Sequence, residues 1–367
     1  MFWRGKRVFI TGHTGFKGGW LSLWLQQLGA HVMGYSLDPP SAPNLFDAAN
    51  VGRGMDSVIG DICDLAAMRS AMLRHRPEIV IHMAAQSIVR VSYQDPIGTY
   101  QTNVIGSANL MEAVRSCDSV RACVIVTSDK CYENREWVWP YRENDRLGGH
   151  DPYSNSKACA ELIVSAYRNS FFDPGRFAEH HVAIASSRAG NVIGGGDWAH
   201  DRLIADIIRA FSSGEMLTIR NPNATRPWQH VLEPVRGYLM LAQRLYDSGP
   251  EFGSAYNFGP EYADVKPVEW IVSHMASAWG ASAKWTVDRG AHPHEAQMLR
   301  LDWTKAFQEL GWRPALSLAE ALEMTLDWYR HFQLGRDVRQ KSLDQIATYT
   351  TKSSFEKAAI SENAVTQ

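Results

Sequence analysis

Arg7-Val8-Phe9-Ile10-Thr11-Gly12-His13-Thr14-Gly15-Phe16-Lys17-Gly18 is a short apolar run that breaks into glycines, and it leads into Trp20-Leu21-Ser22-Leu23-Trp24-Leu25, which reads as a helix with a buried stripe. Strand, tight turn and helix in that order are the context a dinucleotide site requires. Glycine lets the backbone approach a pyrophosphate, and the helix N-terminus supplies N–H groups that the helix leaves unpaired. The spacing is Gly-x-x-Gly-x-x-Gly, shifted from the ordinary Gly-x-Gly-x-x-Gly. Gly12, Gly15 and Gly18 are expected to cradle the pyrophosphate, with Phe16 and Lys17 on the turn. Trp20 and Trp24, four apart, belong on one helix face as core.

Alternating units follow. Ala30–Tyr35 reads as a second strand, Val58–Ile62 as a short third, residues 65–75 as a helix and Ile79–Met83 as an apolar strand. A helix from about Thr102 to Ser116 precedes the strand Ala122–Thr127, and Val182–Ala185 reads as another. Apolar runs separated by helical patterns indicate a parallel sheet covered on both faces. The expected fold is α/β, a Rossmann-type doubly wound, mostly parallel sheet with a smaller mixed α/β substrate-binding lobe. Ligands bind beyond the carboxyl ends of such strands, where Asp61, Ala84 and Thr127 fall. Asp61 and Ile62 are expected at the adenine, and Ala84, Ala85 and Gln86 beside the nicotinamide half. Asn103, at the start of a helix, is either an orienting residue, a solvent-facing asparagine or a helix cap. Asp38 stands where it could take the ribose 2′-hydroxyl, or cap a loop before Pro39-Pro40. No arginine waits there for a 2′-phosphate, so NAD is favoured over NADP.

Asp151-Pro152-Tyr153-Ser154-Asn155-Ser156-Lys157 carries the chemistry. Tyr153 and Lys157 share a face if the segment is helical. A lysine ammonium beside a phenol favours the phenolate, the base needed to take a hydroxyl proton while hydride leaves the adjacent carbon. The same spacing also occurs on plain solvated helices, so the pair gains weight only with the glycine turn.

The glycine pattern, Asp61-Ile62, His82-Met83-Ala84-Ala85-Gln86 and the Tyr153/Lys157 pair together resemble the extended short-chain dehydrogenase/reductase superfamily acting on nucleotide sugars, over roughly residues 4–335. Within it, Thr127-Ser128-Asp129-Lys130-Cys131-Tyr132-Glu133-Asn134 and Gly190-Asn191-Val192-Ile193-Gly194-Gly195-Gly196-Asp197-Trp198 resemble the CDP-glucose 4,6-dehydratases. That resemblance implies NAD, CDP-glucose as substrate and a 4-keto-6-deoxy sugar as product, supplying deoxysugars for surface polysaccharide. The alternative within the superfamily is a GDP-mannose 4,6-dehydratase or a 4-epimerase. The resemblance further implies Tyr153 as base, Lys157 as its electrostatic partner and a nicotinamide-ribose contact, and Ser128 or Thr127 bonded to the reacting oxygen. Asp129 and Lys130 are the candidates for elimination of water. The dTDP-glucose branch resembles Asp-Glu at that pair, so Lys130 is a departure whose role stays open. Asn191, Arg202, Arg226 and Arg300 are expected to hold the nucleotide sugar, since guanidinium pairs well with phosphate.

The dinucleotide domain is expected over 1–190, rejoined by 231–260 as the superfamily implies. The sugar lobe would comprise 191–230 and 261–335, and 336–367, rich in Ser, Thr, Lys and Gln, would be a mobile tail. The 367 residues suffice for both lobes, and a net charge of −2 gives no general attraction to nucleic acid or anionic membranes. Five scattered cysteines read as reduced thiols. The chain opens almost directly on its first strand and no apolar run is long enough to cross a bilayer, so the expected location is the cytoplasm. No metal is expected: His292-Pro293-His294-Glu295 lacks helix spacing and a third ligand, and His230 reads as structural. Of Trp137 and Trp139, one is expected to line the sugar pocket and the other to face outward. Ala158, Ala160, Leu162, Ile163 and Ala166 offer apolar surface for a helix-to-helix subunit contact, implying a homodimer or homotetramer.

Overall fold

A computed structural model describes residues 2–288, 290 and 298–353, which leaves His292–Glu295 outside the described residues. Seven strands form one parallel sheet: β1 (Arg7–Thr11), β2 (His31–Ser36), β3 (Asp56–Ile59), β4 (Ile79–His82), β5 (Ala122–Val126), β6 (Ala183–Ala189) and, after two short strands and β9 described below, β10 (Ala255–Phe258). Their spatial order is β10-β6-β5-β4-β1-β2-β3. The chain thus reverses its progress across the sheet between β1 and β4, the kind of crevice in which such sheets bind ligands.

Both faces of the sheet are covered, which is why β4 and β5 are buried throughout, and apolar but for His82, rather than alternating. Side chains still alternate between layers: Val124 and Val126 join one core, Cys123 and Ile125 the other. The first layer contains α1 (Phe16–Gln27), with Trp20 and Trp24 fully buried as expected. The second contains α2 (Leu65–His75), α3 (Gly106–Arg115) and α4 (Pro152–Ser170), through Met68, Met72, Leu110, Met111 and Val164. Asp151 starts α4 by accepting from the Ser154 amide at 2.9 Å, with Pro152 in the first turn. That cap places Tyr153 at the cleft end of the helix.

The second lobe is built on two small parallel pairs, β7 (Val192–Ile193) with β9 (Gln229–His230), and β8 (Met216–Ile219) with β11 (Lys284–Val287). Helices α5 (Leu203–Ser213), α7 (Val268–Trp279) and α8 (Leu318–Gln333) cover them, while α6 (Leu232–Ser248) returns the chain to the main sheet before β10. β10 pairs in parallel with β6. The glycine loop after β7 is pinned at both ends. Trp20 Nε1 donates to the Gly195 carbonyl at 2.9 Å, and the Tyr329 hydroxyl donates to the Asp197 carbonyl at 2.5 Å.

One expectation is corrected. Residues 338–353, expected to be mobile, form a helix, α9 (Val338–Ser353), packed on α1 and α8. Its inward stripe is Val338, Ser342, Gln345, Ile346 and Tyr349. Two of those five are polar, so the stripe does not register as hydrophobic periodicity. Ser342 accepts from Trp328 Nε1 at 2.8 Å, and Gln345 donates to the Met324 carbonyl at 2.8 Å. No helix among the described residues is long and apolar enough to cross a membrane.

Tyr349 is fully buried, meets Trp24 edge-on at 5.7 Å and donates to Glu233 Oε2 at 2.6 Å. Tyr349→Ala should lower stability by about 3 kcal/mol, from the cavity and the bond lost at Glu233 Oε2, while Oε1 keeps the Ala315 and Leu316 amides. Urea unfolding measures it, and a loss below about 1 kcal/mol would return α9 to the status of a loosely held tail.

Candidate active site

The crevice between β1 and β4 brings the glycine turn against the loop after β4. Gly12 has φ +81°, and a Cβ there would lie 2.7 Å from the Ala84 amide nitrogen; a Cβ on Gly18 would lie 2.0 Å from the Gly12 carbonyl oxygen. Those two glycines are required by the protein's own backbone. Gly15 differs, since its Cβ would meet nothing closer than the Gly12 oxygen at 3.4 Å. It caps α1 without any side-chain hydrogen bond, so the first amides of the helix point outward with no capping group, as an anion site requires. Lys17 follows on the first turn, and burial with the charges of Lys157 and Arg202 pulls its pKa down to about 7. Asp38 and Asp61 lie exposed beyond β2 and β3, with Asp61 Oδ1 accepting from the Cys63 amide at 2.8 Å. Ile62 is buried against Gly106 in the core.

Asn103 is neither a cap nor solvent-facing. It is buried in a π-helical turn, Gln101–Ile105, just before α3, a feature that often marks functional positions. Its Oδ1 accepts from the Gln86 amide at 2.9 Å, and its Nδ2 donates to the Gln86 carbonyl at 2.9 Å and to Ser156 Oγ at 2.8 Å. The Gln86 side chain bonds Thr99 and the Ile88 amide. Asn103 therefore fastens the Ala84-Ala85-Gln86 loop to α4.

At the end of β5, Ser128, Asp129 and Lys130 turn toward Tyr153. Ser128 Oγ donates to Asp129 Oδ1 at 3.0 Å and accepts from the Lys130 amide at 3.2 Å. Asp129 is 2% exposed and its Oδ2 is buried without a hydrogen-bond partner. Burial raises its pKa, against the pull of Lys130, Ser128 and Arg226. It can hold a proton where an exposed carboxylate could not. The Lys130 ammonium sits 5.8 Å from the Tyr153 ring centroid.

The Tyr153 phenol corrects a sequence expectation. Rather than being lowered, its pKa is raised to about 12, mainly by burial, with a Ser128 hydrogen bond opposing. Asp129 and Asp151 raise it further, and Arg202 opposes them. Lys157 is held at about 8 by burial, with Glu161 and Cys131 opposing. The Thr127 hydroxyl donates to Glu161, while Ser128 is the one that hydrogen-bonds the phenol.

The expected substrate residues are spread around the cleft. Arg202 bridges Asp197 at 3.3 Å and Ser87 Oγ at 2.9 Å, linking the second lobe to the loop after β4. Arg226 acts on Asp129 and donates to the Thr225 carbonyl at 2.9 Å. The Asn191 carbonyl accepts from the Gln229 amide at 2.9 Å. Arg300 lies farther out, donating to the Tyr262 hydroxyl at 2.6 Å. Trp139 is exposed while Trp137 stacks 5.4 Å from Tyr141. His230 is fully buried, its Nδ1 accepting from the Leu232 amide. No cluster with metal-ligand character occurs among the described residues.

Sequence reasoning missed Glu161 and Arg188, a buried ion pair at 2.8 Å beneath the site. Glu161 stands four residues past Lys157, so the helical spacing that joined Tyr153 to Lys157 would have found it one turn further on.

The GDP-mannose 4,6 dehydratase family model matches residues 9–325. CDP-glucose 4,6-dehydratase of Salmonella typhimurium is 54% identical over 348 residues, covering 95% of this chain and 97% of that protein. UDP-glucose 4-epimerase of Mycolicibacterium smegmatis is 27% identical, covering 89% and 99%. Among solved structures, MoeE5 in complex with UDP-glucose and NAD superposes with a TM-score of 0.75 at 24% identity, covering 90% of this chain and all of that one. The UDP-glucose 4-epimerase of Thermotoga maritima superposes with a TM-score of 0.74 at 23% identity, covering 89% and 99%. At those identities the superpositions describe the fold.

The two kinds of glycine can be told apart. Gly18→Ala should depress thermal stability, because backbone must move to admit the Cβ. Gly15→Ala should leave the melting temperature within about 2 °C while weakening dinucleotide binding about tenfold or more. Calorimetric titration with NAD beside thermal melts checks both. Unchanged affinity in the Gly15 variant would remove that turn from the binding site.

Proposed function

The chain belongs to the GDP-mannose 4,6 dehydratase family of NAD-dependent epimerases and dehydratases, and from that premise we propose that it converts CDP-glucose to CDP-4-keto-6-deoxyglucose and water. The observation that carries this reading is Asp129, a carboxyl buried beside Tyr153 with one oxygen unpartnered. A 4-epimerase has no hydroxyl to expel from C6 and needs no acid there. The 54% identity to a CDP-glucose 4,6-dehydratase supports cytidine as the base.

The cradle fits NAD: an uncapped helix start behind Gly15, acidic side chains beyond β2 and β3, and Lys157 at the nicotinamide end. NAD would be held by Gly12, Gly15, Phe16, Lys17, Gly18, Asp38, Asp61, Ile62, Ala84, Ala85, Gln86 and Asn103, with Tyr153 and Lys157 beside it. When bound it supplies hydride acceptance from C4 and hydride return to C6. Tyr153 takes the C4 hydroxyl proton, and Ser128 bonds the same oxygen as it becomes a ketone. The ketone acidifies the C5 proton, which leaves to water in the cleft and is replaced from water when hydride returns to C6. Asp129 gives its proton to the departing C6 hydroxyl, and the Lys130 ammonium stabilises negative charge on the phenolate and the C4 oxygen. Burial raises the phenol's pKa to about 12, so the positive nicotinamide ring and the Lys130 ammonium would have to favour its ionised form. Redox balance closes within one active site, so no second substrate is consumed.

In this reading residues 1–190, rejoined by 231–260, hold the dinucleotide. Residues 191–230 and 261–335 hold the nucleotide sugar, with Asn191, Arg202, Arg226 and Arg300 on its diphosphate and sugar. Of the residues expected at a subunit contact, Ala158 and Ala160 are buried, while Leu162 on α4 is exposed, as are Ile97 and Ile105 before α3; the exposed ones support a homodimer or homotetramer formed across that face. Five free thiols are in keeping with work in the reducing cytoplasm.

Asp129→Asn separates oxidation from dehydration. The amide keeps shape and hydrogen bonding but has no carboxylic proton to give. Rapid mixing of this variant with NAD and CDP-glucose should produce the absorbance of reduced cofactor while 4-keto-6-deoxy product falls about 100-fold. Product at the wild-type rate would exclude Asp129 as the essential acid, and absent cofactor reduction would assign it to orienting Tyr153 instead. The same assay with CDP-, dTDP-, GDP- and UDP-hexoses tests the nucleobase.

Arg226→Ala should raise the KM for CDP-glucose about tenfold with a smaller change in kcat, the pattern of a lost phosphate contact. Steady-state kinetics with an unchanged KM would leave Arg226 as a loop residue.

A further inference from the structure

Beneath the reacting groups runs a line of buried polar side chains that the reaction above does not use. Glu161 is one turn past Lys157 on α4 and its side chain is 4% exposed. Its carboxylate accepts from the Thr127 hydroxyl, from Ser186 Oγ at 2.6 Å and from Arg188 at 2.8 Å. Arg188, on β6, donates in turn to the Tyr132 hydroxyl at 2.8 Å and to the Glu143 carbonyl at 3.0 Å. Tyr132 donates to Asn257 Oδ1 at 2.7 Å. The Asn257 amide then ends on the carbonyls of Tyr141 at 2.9 Å and Asp302 at 3.1 Å. The line starts on the catalytic helix, crosses β6 and β10, and ends beside the segment that carries Arg300.

A carboxylate withdrawn from water this fully is costly even when paired, and apolar side chains of similar volume often replace such pairs without loss of stability. Stability alone is a weak reason for placing the charge here. The groups around Lys157 suggest a better one. Glu161 lies one turn along the same face of α4, and Cys131 in the turn after β5, Lys17 at the start of α1 and His82 at the end of β4 share its electrostatic surroundings. Lys17 repels the ammonium, while burial keeps the His82 imidazole and the Cys131 thiol neutral. Burial works against the ammonium itself, and Glu161 opposes it.

We propose that Glu161 is a positioning residue for the reaction: its carboxylate holds the Lys157 ammonium charged and the Thr127 hydroxyl turned away from substrate, and Arg188 keeps that carboxylate in register with the sugar lobe. The proposal rests on the reaction assigned above for the role of Lys157 in catalysis, but not for its charge.

Glu161→Gln keeps the size and an acceptor for Thr127 but removes the charge. The ammonium exists below the Lys157 pKa and is lost above it. Removing the nearby anion lowers that pKa, so the alkaline limb of kcat should move to lower pH by about one unit, with the KM for CDP-glucose little changed. A merely structural role would lower the melting temperature and leave the limb in place. That result in a folded variant overturns the proposal. Should Glu161→Gln fail to fold because Arg188 is left unpaired, Glu161→Asp keeps the charge but draws it back by one methylene, and should move the limb in the same direction by a smaller amount; an unmoved limb in that variant overturns the proposal. A second measurement needs no turnover. The rate of Lys157 carbamylation by cyanate, followed against pH by mass spectrometry of its peptide, should show the same downward shift. Equal titration in wild type and variant overturns the proposal. A wild-type enzyme that makes no 4-keto-6-deoxy sugar overturns the assigned reaction instead, and the carbamylation profile still decides for Glu161.

Discussion

The bond between the Thr11 hydroxyl and His82 Nδ1, 2.7 Å long and fully buried, ties the end of β1 to the end of β4, and the site is assembled around it. Thr11 Oγ1 also accepts from the Met83 and Ala84 amides at 3.1 and 3.2 Å. The loop after β4 is thereby drawn over Gly12, which is why a Cβ there would collide. Burial and the Lys157 charge depress His82 to about 3, so the ring is neutral and its bonds have a fixed sense. Thr11 donates to Nδ1, and Nε2–H donates to Ser107 Oγ at 3.2 Å. Ser107 then donates to the Asn103 carbonyl at 2.7 Å. Asn103 carries the connection on to Gln86 and Ser156. A single chain of hydrogen bonds thus registers the glycine turn, the loop after β4 and the catalytic helix against one another.

Desolvation dominates the chemistry of this cleft. It raises Tyr153 and Asp129 and lowers Lys157 and Lys17, in each case favouring the neutral form. For Asp129 that is useful as it stands, because a proton donor must keep its proton. For Tyr153 it is an obstacle to ionisation, which charges brought by ligands would have to offset. The same low polarity makes each charge in the cleft act more strongly on its neighbours than it would in water.

The strands, the glycine turn and the Tyr153/Lys157 face were legible because each obeys a local rule: apolar runs for buried parallel strands, glycine where backbone approaches backbone, four-residue spacing on a helix. Predicted strand ends at Thr127 and Met83 lie one residue beyond the observed ends, close enough to place the site. What escaped was non-local. Nothing in Glu161 or Arg188 alone reveals that β6 brings them together. The role of Asn103 depends on a π-helical turn that has no sequence signature of its own. The face of α9 uses Ser342 and Gln345 where a hydrophobic pattern would have shown it, and Thr127 differs from Ser128 only in which way its hydroxyl is turned.

The lysine at position 130 bears on how Asp129 can work. Were a second carboxylate there, as the dTDP-glucose branch resembles, like-charge repulsion would add to burial and drive the Asp129 pKa higher still. Lys130 and Arg226 instead pull against burial, so the proton on Asp129 is held less firmly. An acid closer to its ionisation point gives up its proton to a leaving hydroxyl more readily. The pair is therefore tuned in a different way from Asp-Glu. An ammonium beside the Tyr153 ring favours negative charge on the phenol and on the C4 oxygen, whereas a glutamate there would disfavour both. In the proposed reaction, a lysine at this position would leave the C5 proton to be made acidic by the C4 ketone rather than drawn off by a carboxylate here.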